Sequence, residues 1–147
     1  MSHLNDFKTQ VTDRTALVRA LERMGFKGKV KVYDTAKRLN GFHSEDKKFA
    51  HVLVTKEHTG IPADIGFEQT ADGTFVAHID DYKYWTGIQY NQAWQNKLYT
   101  YYNVEKSKME FEAHGIEYEE LKDEVGRIVV QGKFKQTTEP GKVAVHL

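Results

Sequence analysis

The residues best suited to chemistry gather around one histidine. His78, Asp80 and Asp81 lie just before Tyr82, and Asp64 lies on a neighbouring predicted strand. Because His78 and Asp80 are two positions apart, a strand would put both on one face. A histidine with two or three carboxylates could hold a divalent metal or act as an acid–base pair. A metal-assisted hydrolase built on these four residues is therefore one alternative. A solvated sheet face that ends in a turn is the other, since their spacing matches no established metal or catalytic motif.

An aromatic group follows this cluster. It comprises Tyr82, Tyr84, Trp85, Tyr90, Trp94, Tyr99, Tyr101 and Tyr102. Such side chains combine a large contact area with a polar tip, which suits stacking on bases or docking a partner. Helical spacing favours a core position for Tyr90 and Trp94. We expect Tyr84, Tyr99 and one of the pair Tyr101 and Tyr102, taken here as Tyr102, to face outward and bind a partner.

The formal charge balances, with 21 Lys and Arg against 21 Asp and Glu, but its distribution is uneven. Basic residues cluster between positions 27 and 48, and acidic residues cluster between positions 105 and 124. Phosphate contacts in a nucleic-acid complex could come from Lys27, Lys29, Lys31, Lys37 and Arg38. The same lysines are also typical of an edge strand that resists aggregation. Acidic contacts to a protein partner could come from Glu117, Glu119 and Glu120.

Composition narrows the class of protein. The 147 residues suit one domain, and eight Phe, eight Tyr and two Trp are too many large apolar groups for a disordered chain. The sequence contains no cysteine, which excludes disulfide frameworks, thiolate metal sites and cysteine nucleophiles. No apolar run is long enough for a membrane span. By elimination we predict a cytoplasmic protein with no membrane association, and we predict no cofactor.

Hydrophobic periodicity predicts the elements at the start of the chain. Residues 4–11 suggest an opening strand. Apolar residues at three- and four-residue steps predict a helix over residues 13–24, capped by Thr12 or Asp13 and stopped by Gly25. Four alternating runs then predict strands around residues 30–32, 50–55, 65–67 and 75–79. Because short turns separate these runs, the strands should pair antiparallel.

The period changes to that of a helix after Gly87. A long aromatic-rich helix is predicted from there to Ala113, with Asn103 as a point where it could break. Residues 116–121 and 127–134 predict a closing hairpin. The predicted fold is α+β, with a mostly antiparallel sheet packed against an N-terminal helix and a longer aromatic-rich helix. Residues 1–135 would form one globular domain and residues 136–147 a loose tail, in which Val143, Ala144 and Val145 could add an edge strand.

Several short motifs occur in an order that marks a family. They are Ser2-His3, Lys8-Thr9, Leu17 with Ala20-Leu21 and Gly25, Asp64-Ile65-Gly66-Phe67, and residues 82–85. Across residues 2–131 the chain resembles the family named for hypothetical chloroplast reading frame thirty-five, a domain of unknown function found in cyanobacteria, algal plastids, other bacteria and phages. It departs from the family pattern at residues 45–48 and 117–124, which bear on the identity of a partner.

The resemblance adds one expectation about function. Some relatives are encoded near ring-forming AAA-type ATPases, which implies an adaptor or accessory role. Our leading hypothesis is therefore a small non-enzymatic binding or adaptor domain that engages a protein, with an AAA-type ATPase as the partner that the resemblance suggests. Nucleic-acid binding and metal-assisted hydrolysis are the two alternatives.

Overall fold

The computed structural model describes residues 4–41 and 47–134, together with the backbone of residues 142–146. The motif Ser2-His3, the charged positions 45 and 46, and the tail residues 136–141 and 147 lie outside the described residues.

A five-stranded antiparallel sheet forms the larger layer. Its strands are β1 (Asn5–Lys8), β2 (Val30–Arg38), β3 (Phe49–Val54), β4 (Ile65–Gln69) and β5 (Phe75–Ile79), in the spatial order β1-β5-β4-β3-β2. Four consecutive strands are joined by local connections, as their short turns predicted. The first strand closes the sheet beside β5, where Asp6 faces His78 across the register. Strand β2 is consequently one edge of this sheet and β1 the other.

The first helix is set by signals at both of its ends. Helix α1 (Arg14–Leu21) begins after Asp13, whose carboxylate accepts the backbone N–H of Ala16 at 2.9 Å. A π-helical turn (Glu22–Phe26) follows, and inside it Gly25 has a φ of 106°. Only glycine adopts this conformation without strain, so the predicted stop signal operates there.

The long helix begins later than its aromatic spacing predicted. A short helix α2 (Lys56–Thr59) precedes it, and α3 (Gln92–Ala113) starts where the Asn91 side chain accepts the backbone N–H of Trp94 at 3.0 Å. Helix α3 then runs through Asn103 without a break.

Among the described residues no helix is both long and apolar enough to cross a membrane. The arrangement of helices and antiparallel strands confirms the predicted fold class, α+β.

A second, smaller sheet follows α3. Strands β6 (Glu117–Lys122) and β7 (Ile128–Lys133) form the predicted hairpin, and β8 (Lys142–His146) pairs antiparallel with β7. The sequence allowed either a loose tail or an edge strand at residues 143–145. The backbone of these residues forms the edge strand.

Helix α3 contributes to two separate cores. The main core buries Leu98 and Tyr102 of α3 beside α1 and the five-stranded sheet, whereas a second core joins Val104 and Phe111 of α3 to Val130 of β7. At 3.6 residues per turn, Tyr102 and Val104 point roughly 200° apart around the helix. The helix therefore buries two opposite sides, one against each sheet.

Strand β4 is buried on both sides, and this determines its sequence. Ile65 and Phe67 are fully buried in the main core. Between them, Gly66 packs closely against the side chains of Leu39 and Ala50. A Cβ at this position would lie 2.6 Å from the Leu39 methyl groups and 2.7 Å from the Ala50 methyl group. Glycine at this position is required by packing.

A network of charges joins the π-helical turn to α3 and β6. The Arg23 guanidinium donates to Glu105 at 2.9 Å and to both carboxylate oxygens of Glu120 at 2.6 and 2.9 Å. Lys108 contacts the same two carboxylates at 3.2 and 2.7 Å. The hydrogen bond from Arg23 lowers the pKa of Glu120 to about 2, and the Glu120 carboxylate in turn raises the pKa of Arg23 above its usual value.

The variant Glu120→Gln should show that this network makes the unfolding free energy of the protein sensitive to acid. The lowered pKa means that the Glu120 carboxylate stabilises the fold at pH values above about 4.5, and that this contribution is lost as pH falls towards about 2. We expect the variant to lose about 1 kcal/mol at neutral pH, the upper range for a partly exposed ion pair. The gap in unfolding free energy from the wild type should close between these two pH values in urea titrations.

Glu117→Gln is the matched control. It makes the same chemical change on the same strand, and Glu117 forms no ion pair with any described residue. A constant gap between wild type and Glu120→Gln at all pH values would contradict the role assigned to the network.

Candidate functional site

The connection between β5 and α3, residues 80–91, is built on a buried carboxylate, and we call it the aromatic loop. Asp80 is 1% exposed; it accepts the Tyr82 backbone N–H at 2.9 Å and the Tyr84 hydroxyl at 2.6 Å. A carboxylate can be buried only if donors replace the water it loses. The two donors therefore fix the start of the loop to the end of β5.

Further hydrogen bonds close the aromatic loop on itself. The Tyr84 backbone N–H donates to the Ile88 carbonyl at 3.2 Å, and the Gly87 N–H donates to the Tyr84 carbonyl at 2.8 Å. Gly87 has a φ of 85°, which this tight turn requires. The Gln89 side chain also donates to the Asp81 carbonyl at 2.8 Å. Residues 84–88 consequently form a small, internally bonded turn.

The far end of the aromatic loop is anchored in the main core. Tyr90 is 8% exposed and its hydroxyl donates to the Thr59 carbonyl. Its ring meets that of Trp94 edge-to-face, with the centroids 5.0 Å apart. Burial raises the pKa of Tyr90. The loop is thus held at both ends by side chains inside the fold.

This fixed loop carries the most exposed aromatic side chain described. Trp85 is 95% exposed at the turn, and nearby Tyr82 is 50% exposed. The Tyr82 ring packs edge-on against that of Tyr84, with the centroids 4.9 Å apart. Tryptophan is highly buried on average, so an indole displayed in solvent by an ordered turn is an unusual surface feature.

The aromatic residues predicted to face outward have different positions from those expected. Tyr102 is 6% exposed, and its hydroxyl accepts the backbone N–H groups of Thr12 and Asp13, so that prediction is corrected. Tyr99 is half-buried and donates to Gln95 at 3.2 Å, and burial raises the pKa of Tyr99 to about 12. Tyr84 is half-buried within the aromatic loop.

Sequence reasoning missed Trp85 and Tyr82 as the exposed pair. The helical period begins after Gly87, so it does not indicate which side chains of residues 82–85 are exposed. Gly87 itself was the available signal, because a glycine directly after Trp85-Thr86 is typical of a turn that displays its neighbours.

The predicted acidic contacts lie on β6 and are partly neutralised within the fold. Glu120 belongs to the Arg23 network, and Glu119 contacts the Lys133 ammonium at 3.4 Å. Glu117 is exposed and, among the described residues, forms no ion pair. Of the three predicted contacts, Glu117 is therefore the one whose charge faces solvent without compensation.

The residues predicted as metal ligands do not converge. Asp64 is 2% exposed and accepts the backbone N–H groups of Asn40 and Lys56 at 2.8 and 2.7 Å. Asp80 is committed to the aromatic loop, and Asp81 accepts from the Asn5 amide at 2.7 Å. Within the described parts of the chain, no group of three or more histidine, aspartate or glutamate side chains is placed to hold a metal ion. These carboxylates instead tie separate segments of backbone together.

His78 lies between two carboxylates that the sequence pattern did not indicate. Its Nδ1 is 2.7 Å from Asp6 Oδ1 and its Nε2 is 2.9 Å from Glu68 Oε1, while the ring is 4% exposed. Burial raises the pKa of Asp6, but hydrogen bonds from Lys48 and His78 outweigh that effect and leave it below its ordinary value. These contacts fasten β1 to β5 and link β5 to β4.

The predicted basic residues are exposed at one edge of the larger sheet. Lys31, Lys37 and Arg38 lie on β2, while Lys27 and Lys29 lie in the segment that leads into it. The Lys37 ammonium is 5.4 Å from the centroid of the Tyr33 ring. The pattern fits both of its interpretations, a solvated edge strand and a surface for phosphates.

Fold and surface together define a small α+β domain that presents an ordered aromatic loop. No family model matches the chain, and no curated protein and no solved structure matches it.

Replacing Tyr84→Phe should destabilise the protein and loosen the aromatic loop. The substitution removes one donor from the buried Asp80 carboxylate, a loss of about 1–3 kcal/mol. Urea denaturation measures the change in unfolding free energy. In a Trp94→Phe background, where Trp85 is the one tryptophan left, fluorescence anisotropy reports the order of the loop. Tyr82→Phe is the matched control; it removes a hydroxyl with no hydrogen bond among the described residues and should cost under about 0.5 kcal/mol. Equal effects of the two substitutions would show that the hydrogen bond to Asp80 is unimportant.

Proposed function

We propose that this protein is a binding or adaptor domain, without enzymatic activity of its own, that engages another protein through the aromatic loop. The observation that carries the proposal is the 95% exposure of Trp85 on a turn held by hydrogen bonds. Exposed indole surface is unfavourable in water, and it becomes favourable when a partner covers it. Tryptophan and tyrosine are also the residues most enriched among those that dominate binding energy.

The order of the aromatic loop supports affinity. Association costs free energy when a flexible segment must be fixed. The hydrogen bonds that Tyr82 and Tyr84 donate to Asp80 fix the loop before any partner binds. The contact area of Trp85 and Tyr82 is therefore presented with little further loss of conformational entropy.

The acidic strand β6 offers a second contact. Glu117 is exposed and, within the described residues, forms no ion pair. Charges at the rim of an interface mainly steer association and select among partners. The resemblance to the plastid and cyanobacterial family suggests an AAA-type ATPase as the partner, and a basic patch on it would complement Glu117.

A photo-crosslinker at position 85 tests the aromatic loop directly. The purified chain with benzoylphenylalanine in place of Trp85 should give one discrete crosslinked product in lysate of the native host. Unlabelled wild-type chain should compete with formation of this product. The Trp85→Ala chain should require at least a tenfold higher concentration for the same competition, because loss of the indole should cost roughly 1.4 kcal/mol or more of binding free energy. Mass spectrometry identifies the crosslinked protein.

The matched control carries the same crosslinker at Val125. Val125 is apolar, 73% exposed and placed on the β6–β7 turn. If the two positions give the same products, or if Trp85→Ala competes as well as wild type does, the aromatic loop is not a docking site.

Nucleic-acid binding is the second candidate function, favoured by the position of the basic residues on an edge strand. Phosphate contacts release counterions, which makes affinity fall with salt. Lys29→Ala combined with Lys31→Ala should therefore weaken binding to single-stranded RNA or DNA. It should also reduce the slope of log affinity against log salt by roughly 1.4, at about 0.7 for each lost contact to a single strand. Fluorescence anisotropy with labelled oligonucleotides measures both effects.

A charge-matched variant, Lys8→Ala with Lys56→Ala, separates this site from bulk charge. Both lysines are exposed and lie outside β2. Absence of binding at low salt, or equal weakening by the two double variants, would remove nucleic-acid binding through β2.

A further inference from the structure

An open cleft of about 480 Å³ lies between α3 and the β6–β7 hairpin. Its walls come from five places in the chain: the π-helical turn, α3, β6, the turn after β6 and the start of β7. The residues that determine its chemistry are Arg23, Lys97, Tyr101, Glu120, Lys122 and Arg127. Its volume falls within the range of small-molecule sites.

Positive charge in this cleft exceeds negative charge. Arg23 is balanced by Glu105 and Glu120, and the Arg127 guanidinium is 2.7 Å from Asp123. Lys97 and Lys122 form no ion pair with any described residue. Two uncompensated ammonium groups therefore face one concave surface that two guanidinium groups also line.

The Tyr101 ring brings two of the cations together. The Arg23 guanidinium carbon is 4.4 Å from the ring centroid, and the Lys97 ammonium is 5.9 Å from the same point. Cations are attracted to the face of an aromatic ring, which offsets part of their mutual repulsion. The ring and the carboxylates of the Arg23 network thus hold the cationic groups in place without removing their net positive charge.

We propose that this cleft binds a small anion that carries a chain of two or three phosphates. Arginine and lysine have complementary roles in such a site: the planar guanidinium matches pairs of phosphate oxygens, and the ammonium acts as a point charge. Lys97 on α3 and Lys122 on β6 both line the cleft, and a chain of phosphates offers each ammonium a negative charge of its own. The site is separate from the aromatic loop, so the proposed protein binding can fail without affecting it.

Isothermal titration of the full chain with inorganic triphosphate and with ATP tests the cleft. Saturable binding of both probes shows that the site recognises the phosphate chain alone, and binding of ATP only shows that it recognises a nucleotide. In either case, Lys97→Ala combined with Lys122→Ala should lower the affinity for the probe at least tenfold. Lys97→Arg with Lys122→Arg should keep the affinity within about threefold of wild type, because it retains both positive charges. A threefold change is well below the tenfold change that corresponds to 1.4 kcal/mol.

Two controls make the result decisive. Thermal unfolding should show that all variants remain folded, as expected for exposed lysines outside the ion pairs. Lys8→Ala with Lys56→Ala removes the same charge away from the cleft and should leave both affinities unchanged. Absence of saturable binding with both probes overturns the proposal, and so does equal weakening by the two alanine pairs.

Discussion

A single guanidinium group, that of Arg23, connects the parts of this fold that the backbone alone would leave loosely joined. It lies just after α1 in the chain, donates to Glu105 on α3 and donates to both carboxylate oxygens of Glu120 on β6. Its second face lies over the Tyr101 ring. Together with Lys108 and the second core, this side chain holds the small sheet beside the first helix, and it also lines the cationic cleft. Arginine suits this role because its rigid planar fork satisfies several acceptors at once.

The elements that depend on local signals could be predicted from the sequence. The apolar stripe of Ala16, Leu17 and Leu21, the cap at Asp13 and the stop at Gly25 specify α1 within a dozen residues. The hairpins follow from turn residues and alternation in the same way. Closure of the sheet by β1 could not be predicted, because it pairs residues 68 to 74 positions apart and nothing in the spacing indicates which edge a four-residue strand will join.

The candidate functional surface was less predictable than the fold, for a physical reason. An aromatic side chain is buried or exposed according to the helix, strand or loop that carries it and the face on which it lies. For Trp85 the deciding factor is that it lies in the aromatic loop, before α3 begins. Long-range pairing explains the other differences. His78 and Asp80 have the types of a metal site, but their partners, Asp6 and Glu68 for one and Tyr84 for the other, come from backbone proximity that periodicity does not encode. The chemistry of a side chain is set by these neighbours.

Helix α3, with one side in each core, has a consequence for how the protein comes apart. Tyr102 belongs to the main core and Val104 to the second, only two residues along one unbroken helix. Neither sheet can detach without exposing apolar surface on α3 or unwinding hydrogen bonds that also support the other sheet. Helix formation is itself cooperative, so a loss of order on one side propagates to the other. The two cores therefore form a single cooperative unit, and the backbone amides around residues 98–104 should be among the last in the protein to exchange their hydrogens with solvent.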